Sequence, residues 1–579
     1  MNISNLIFTA TGKMEADLLI HGGNVVNVFN GTVETLDILI IDGIIAATGK
    51  EIGKKTEAIQ TIDATDLFLA PGFIDAHIHI ESTMLIPSEF ARAVLPHGTV
   101  AVVADPHEIA NVMGTAGIRW MLEASENLPV ECFFMAPSCV PATHLETSGA
   151  ELSAFDLTPL YHHDRLKGLA EVMNFPGVIN GMPDLMAKIE DAITRGLAVD
   201  GHAPGLGGTD LSAYVAAGID SDHECTTLEE AREKLAQGMY LFLREGSTEH
   251  NLETLLPAVT PETVHRCCLV SDDRHPDDLM DMGHLDHSLR LCVRHGLNPV
   301  DAIRMVTINP ATRFSLSGLG AVAPGYRANI VMLENLENFN VRKVYINGME
   351  AASDGSALSE PALTSKGRVK RPDTPASFNV TGEIDFSIRA TGPKINAIGI
   401  VEKQIVTKAL NLPAPTKEGM LVADPEQDLV KIAVIERHRG TGNMSVGMVQ
   451  GTGIREGAIA GSVAHDSHNI IVMGSDDRDM KLAVSTLLGN QGGFAVVANG
   501  RITADLPLPV AGLMSDLPFE KVRKQMDILL SAARETGCTL ENPFMTMSFL
   551  ALPVIPELKI TDMGLVDVGK FDFTSLFTE

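Results

Sequence analysis

Apolar positions fall in short clusters along the chain, and the rhythm of the polar breaks between them changes twice. From Ala16 to about Ala70, stretches such as ADLLIHGGNVVNVFNG and DILIIDGIIAATG are apolar runs interrupted by Gly and Asn, which predicts short strands and turns. From about Pro71 to Ser315, strand-like pieces (HGTVAVVAD, ECFFMAPS, LKGLAEVMN, GLAVDGH, GIDSDHE, HRCCLVSDD) alternate with stretches of helical period such as TLEEAREKLAQG and NPVDAIRMVT. That alternation predicts a parallel sheet with crossover helices, and a segment of about 245 residues matches a (β/α)8 barrel, whose reactive groups sit at the C-terminal strand ends. GAVAPGYRANIVMLENLENFNVRKVYINGM returns to a strand pattern and is expected to pair with the opening strands. The predicted class is therefore α/β: a small β-sandwich from 1–70 and 316–358 flanking a barrel at 71–315, a Pro-rich linker at 359–376, and a C-terminal α+β domain at 377–579. Within that last domain, helices are expected at DMKLAVSTLLGN and FEKVRKQMDILLSAARETG.

Composition narrows the partners. The chain has 579 residues, 45% hydrophobic and 20% charged, enough to bury more than one core. A net charge of -30 argues against nucleic acid or an anionic membrane surface and favours a small uncharged or cationic ligand. Seven cysteines without CxxC spacing read as reduced thiols. With no apolar run near the length of a membrane span, the expectation is a cytoplasmic protein, a homodimer or larger.

The chemistry candidates lie at predicted strand ends. In GFIDAHIHIEST, His77 and His79 are two apart, so on a strand they share a face and can grip one divalent ion. Later strands end in the same way, at His202 (AVDGHAPGL), His223 (GIDSDHECT) and Asp272 (CLVSDDRHPDD), a recurrence that packing alone does not explain. The piece RLKGLAEVMN offers Lys167 or Glu171 as an oxygen ligand, and the glutamate is favoured because the lysine would first need carbamylation. After HGTVAVVAD come His107 and Glu108, which are either substrate contacts or solvated neighbours of an Asp105 helix cap. His465 and His468 in AHDSHN are expected to be structural or surface residues rather than catalytic ones.

Taken together, PGFIDAHIHIEST, DPHEIANV, GHAPGL, SDHECT, SDDRHPDDL and AHDSHN resemble the amidohydrolase superfamily and, within it, the bacterial adenine deaminases. The resemblance covers nearly the whole chain. It implies hydrolysis of adenine to hypoxanthine and ammonia at two divalent ions, with manganese or iron favoured and zinc possible. It also implies His77 and His79 on one metal, Glu171 as bridge, His202 and His223 on the other, and Asp272 closing the site and moving the proton. His223, His107 and Glu108 are the candidates for supporting purine N1 during attack at C6, and Asp273 is a further substrate contact. Two alternatives stand beside this reading. One is a different amidohydrolase, such as a dihydropyrimidinase-like cyclic-amide hydrolase bridged by Lys167 or a deaminase of another purine; the other is a non-catalytic metal-binding scaffold.

Overall fold

The computed structural model describes residues 2–358, 378–401 and 404–579. The expected linker at 359–376 lies outside the described residues. Eight parallel strands make up the central domain: Phe73–Ile78, Thr99–Ala104, Glu131–Ala136, Leu166–Val172, Ala198–Gly201, Ser221–Asp222, Tyr240–Arg244 and Cys267–Val270. The first five hydrogen-bond side by side, as do the last three. At one seam Asp220 N donates to Val199 O (3.3 Å); at the other Asp272 N donates to His77 O (3.1 Å). These strands are buried on both faces and therefore read as nearly continuous apolar runs, as parallel strands under helices do. Two glycines set close approaches. A Cβ on Gly168 would lie 2.2 Å from Ala198 O, and one on Gly201 would lie 2.3 Å from Ser221 O.

The two flanks join in one nine-stranded sheet, in which Phe68–Pro71 pairs antiparallel with Ile330–Leu333. Ile3–Ala10 is an α-helix, started by the Asn2 side chain, which accepts from Ser4 N at 3.1 Å. Cys267 and Cys268 are both buried, and all seven cysteines are free. Among the described residues no helix is long and apolar enough to cross a membrane.

The C-terminal region is built on a second nine-stranded sheet with helices Asp477–Asn490 and Phe519–Glu535. The first of these starts at Asp476, whose carboxylate accepts from the N–H groups of Arg478 and Asp479. This region docks on the C-terminal ends of the barrel strands through specific bonds. Ser515 N donates to Met84 O (2.8 Å), Asn469 Nδ2 to Thr147 O (2.8 Å) and Thr561 Oγ1 to Leu145 O (2.6 Å).

Candidate metal centre and the wall above it

The strand ends converge as their polar finishes suggest. His77 is in the first strand and His79 just beyond it, with their rings edge to face at 4.9 Å. Glu171 is near the end of the fourth strand, His202 and His223 directly follow the fifth and sixth, and Asp272 follows the eighth. All six side chains are buried. Most of their nitrogen and oxygen atoms stand beyond close hydrogen-bond contact: His77 Nε2 is 3.5 Å and His79 Nε2 3.3 Å from Asp272 Oδ1, while His79 Nε2 is 3.3 Å and His223 Nε2 3.1 Å from Glu171; His202 Nδ1 is closer, 2.7 Å from Glu171 Oε2. Two donors bound to one ion through bonds of about 2.1 Å sit about 3.0–3.5 Å apart, which is the spacing of these pairs apart from His202 and Glu171.

Protonation supports the same fit. His79 Nδ1 lies 3.1 Å from Asp105 O, so it carries the hydrogen and leaves Nε2 with a lone pair aimed at two carboxylates. His77 Nε2 is buried with no hydrogen-bond partner. A nest of lone pairs of this kind needs cations between them. Without a metal, protons take that place: burial opposes charge on His223, but the Glu171 carboxylate outweighs it and raises the imidazole to about 9. Burial likewise works against the ionised carboxylates, yet Glu171 is held well below its ordinary range by His223 and His202, and Asp272 by His77 and His79.

Other residues near the cluster were not singled out by sequence reasoning. Arg244, at the end of the seventh strand, donates to Asp272 Oδ2 at 2.9 Å and pairs with Glu224. The strand itself, MYLFLRE, was not among the predicted pieces, although it shows the same signal of an apolar run ending in charge. Lys167, the alternative bridge, lies away from the cluster with its ammonium 5.0 Å from the centre of the Phe133 ring.

His107 and Glu108 open the short helix His107–Met113, whose N-cap is Pro106. Asp105 is therefore not the cap. Its carboxylate lies 2.9 Å from His107 Nδ1 instead, because the strand end turns it inward. His107 stands between two groups, with Nδ1 3.3 Å from Glu171 and Nε2 3.5 Å from Glu108. The Glu108 carboxylate points to the C-terminal domain, where it lies 2.8 Å from His465 Nδ1 and in direct contact with His468 Nε2. Sequence reasoning placed both of those histidines on the surface or in a structural role. Both are in fact buried against Glu108. They sit in the loop between the paired strands Ala458–Gly461 and Ile470–Gly474, held by His468 N donating to Ala464 O (2.7 Å).

A narrow cavity of about 40 Å3 separates the cluster from this wall. His79, Glu171, His202, His223, Asp272 and Asp273 line one side; His465, Phe549, Leu552 and Ile555 line the other. Asp273 accepts a short hydrogen bond from Ser82 (2.5 Å). Behind the apolar side, Lys559 donates to Ile405 O and Phe549 O, both at 2.8 Å, and burial lowers its ammonium to about 7. A wider cavity, about 1170 Å3 and lined by Glu146, Asn174 and Arg439 among others, shares no lining residue with the cluster's cavity.

A barrel with His and carboxylate donors at the ends of its strands, and no cysteine among them, defines a metal-dependent hydrolase of the amidohydrolase class. Residues 68–351 match the amidohydrolase family, and residues 404–572 match the adenine deaminase C-terminal domain. An adenine deaminase of Desulfatibacillum aliphaticivorans is 49% identical over 99% of both chains. Adenine deaminase 2 of Carboxydothermus hydrogenoformans is 47% identical over 98% of both, and the adenine deaminase of Methanothrix thermoacetophila is 46% identical over the full length of both. The chain belongs to the adenine deaminase family of amidohydrolases.

Proposed function

We propose that the buried cluster is the centre at which this chain hydrolyses adenine to hypoxanthine and ammonia, a reaction of nucleobase salvage. The observation that carries this reading is the full-length kinship with adenine deaminases, joined to donor atoms spaced for divalent ions. In this assignment His77 and His79 would hold one ion and His202 and His223 a second, with Glu171 and Asp272 supplying the anionic donors. Manganese or iron is favoured, and zinc suits the same donors. Bound divalent ions supply Lewis acidity that makes water a competent nucleophile at neutral pH.

The chain's own groups do the rest. Asp272 takes a proton as water oxygen bonds to C6 and returns it to the departing amino group, so that the C6–N6 bond breaks with ammonia as the leaving group. Arg244 holds Asp272 in place through its second oxygen. The wall of Phe549, Leu552 and Ile555 excludes bulk water from the reacting carbon. His107 and Asp273 line the path of the base, and His223 faces it from the metal side.

The test is ammonia release from adenine, adenosine, guanine, cytosine and dihydrouracil by manganese-loaded protein, with metal-free protein as control. Metal-dependent turnover of adenine alone is expected. Turnover of dihydrouracil in its place would overturn the assignment.

A further inference from the structure

The group formed by Glu108, His465 and His468 uses the same residue types as the metal centre but is built differently. His465 Nδ1 lies 2.8 Å from the Glu108 carboxylate and His468 Nε2 is in direct contact with it, closer than most facing atoms of the metal centre stand. The other nitrogen of His468 argues in the same direction. Ala464 N donates to His468 Nδ1 at 3.2 Å, so the hydrogen of that imidazole is on Nε2, where it faces Glu108. A metal ligand would have its lone pair there. The carboxylate is thus held by two imidazoles, and burial, which disfavours its charge, is outweighed by His465 and His468, so that Glu108 stays well below the usual range.

His465 is left with one unspent atom. Its Nδ1 faces Glu108, its ring stacks on Phe549 at 4.6 Å and 12°, and its Nε2 is buried with no partner in a residue that lines the cavity. An unpaired ring nitrogen at a cavity wall is costly unless a ligand meets it. Burial opposes charge on this imidazole, while Glu108 raises it well above its ordinary value. In the charged form both ring nitrogens are donors.

We propose that His465, supplied by the C-terminal domain, contacts the purine directly: Nε2–H donates to a ring nitrogen of the base while Glu108 and His468 hold the imidazole from behind. This rests on the deaminase reading above. The aromatic and aliphatic wall beside it suits the flat face of a base, and the donor supplies what that wall lacks, a means of telling a purine edge from a hydrocarbon.

The deciding experiment measures competitive inhibition of the manganese-loaded enzyme by 1-deaza-, 3-deaza- and 7-deazaadenine, each of which replaces one ring nitrogen by CH. In wild type, one analogue is expected to bind about tenfold or more weakly than the other two, the cost of one unmade hydrogen bond. In His465→Asn with full metal content that penalty should vanish, while inhibition by the other two changes little. Equal binding of all three to wild type, or an undiminished penalty in the variant, overturns the proposal. If His465→Asn loses its metals, Glu108→Gln decides, because it should shrink the same penalty; a full penalty there also overturns the proposal. Adenine turnover that continues with no penalty dependent on His465 removes this inference alone, whereas a wild type that releases no ammonia from adenine removes the deaminase reading and this inference with it.

Discussion

Two clusters of imidazoles and carboxylates face each other across one narrow cavity, and the groups behind their imidazoles set them apart. In the barrel cluster most facing atoms stand 3.1–3.5 Å apart, His202 and Glu171 at 2.7 Å being the exception; in the wall cluster His465 and Glu108 close to 2.8 Å. The outer nitrogens differ as well. His79 gives its Nδ1 hydrogen to the carbonyl of Asp105, which frees Nε2 for an ion, whereas His468 receives a hydrogen at Nδ1 from Ala464 and so presents N–H to Glu108. The same side chains become ligands or proton holders according to what the backbone does behind them.

The contrast can be broken most sharply at Asp272. Asp272→Asn keeps a group of the same shape but is unable to carry the proton, so ammonia release should fall by roughly 10³-fold or more while calorimetric unfolding stays near wild type. Activity within tenfold of wild type would remove the assigned role. Next in size, Glu171→Gln should weaken metal binding by at least about 10²-fold, read by elemental analysis after dialysis, because the shared anionic ligand is gone. A full metal complement in that variant would mean that the barrel cluster is held together otherwise.

His468→Asn should do the reverse. Metal content should be unchanged while kcat/KM for adenine falls about tenfold, since only the support behind His465 is lost. Loss of metal there would collapse the distinction between the clusters. A separate test, read in stability rather than activity, probes the wall's foundation at Lys559. Its folded ammonium titrates at about 7 against an unfolded value near 10.4, so between those values the unfolded chain binds the extra proton. Stability should therefore rise as pH increases from about 7 toward 10, and the rise should disappear in Lys559→Met when urea midpoints are compared across that range. A parallel slope in the two proteins would show that the ammonium is not the titrating group.

Much of the barrel cluster was legible because each of its residues breaks a local rule. An apolar run that stops at His, Asp or Glu at a strand end has no packing reason to do so, and HIH, DGH, SDH and SDD repeat that break at His77, His202, His223 and Asp272. The strand ending in Arg244 shows the same break, but it was hidden among neighbouring helical residues. The wall was less legible. His465 and His468 sit in a hairpin loop with no periodicity to mark a buried face, and only docking of the C-terminal sheet on the barrel brings them to Glu108. Asp105 misled for a related reason. An aspartate before a helix reads as a cap, but the preceding strand aims its carboxylate at His107 and leaves Pro106 at the cap position. Local pattern speaks to local roles, and tertiary docking reassigns them.

The bond from Asp272 N to His77 O joins the last barrel strand to the first, and with it the two ends of the barrel cluster. During synthesis His77 and His79 leave the ribosome long before Asp272. At about 5–20 residues per second they wait roughly 10–40 s for their partner, and about as long again passes before His465 and His468 emerge. The nascent chain therefore assembles its barrel cluster before it has a wall to close over it, so the newborn barrel passes through an interval in which these imidazoles and carboxylates are open to the surrounding solution.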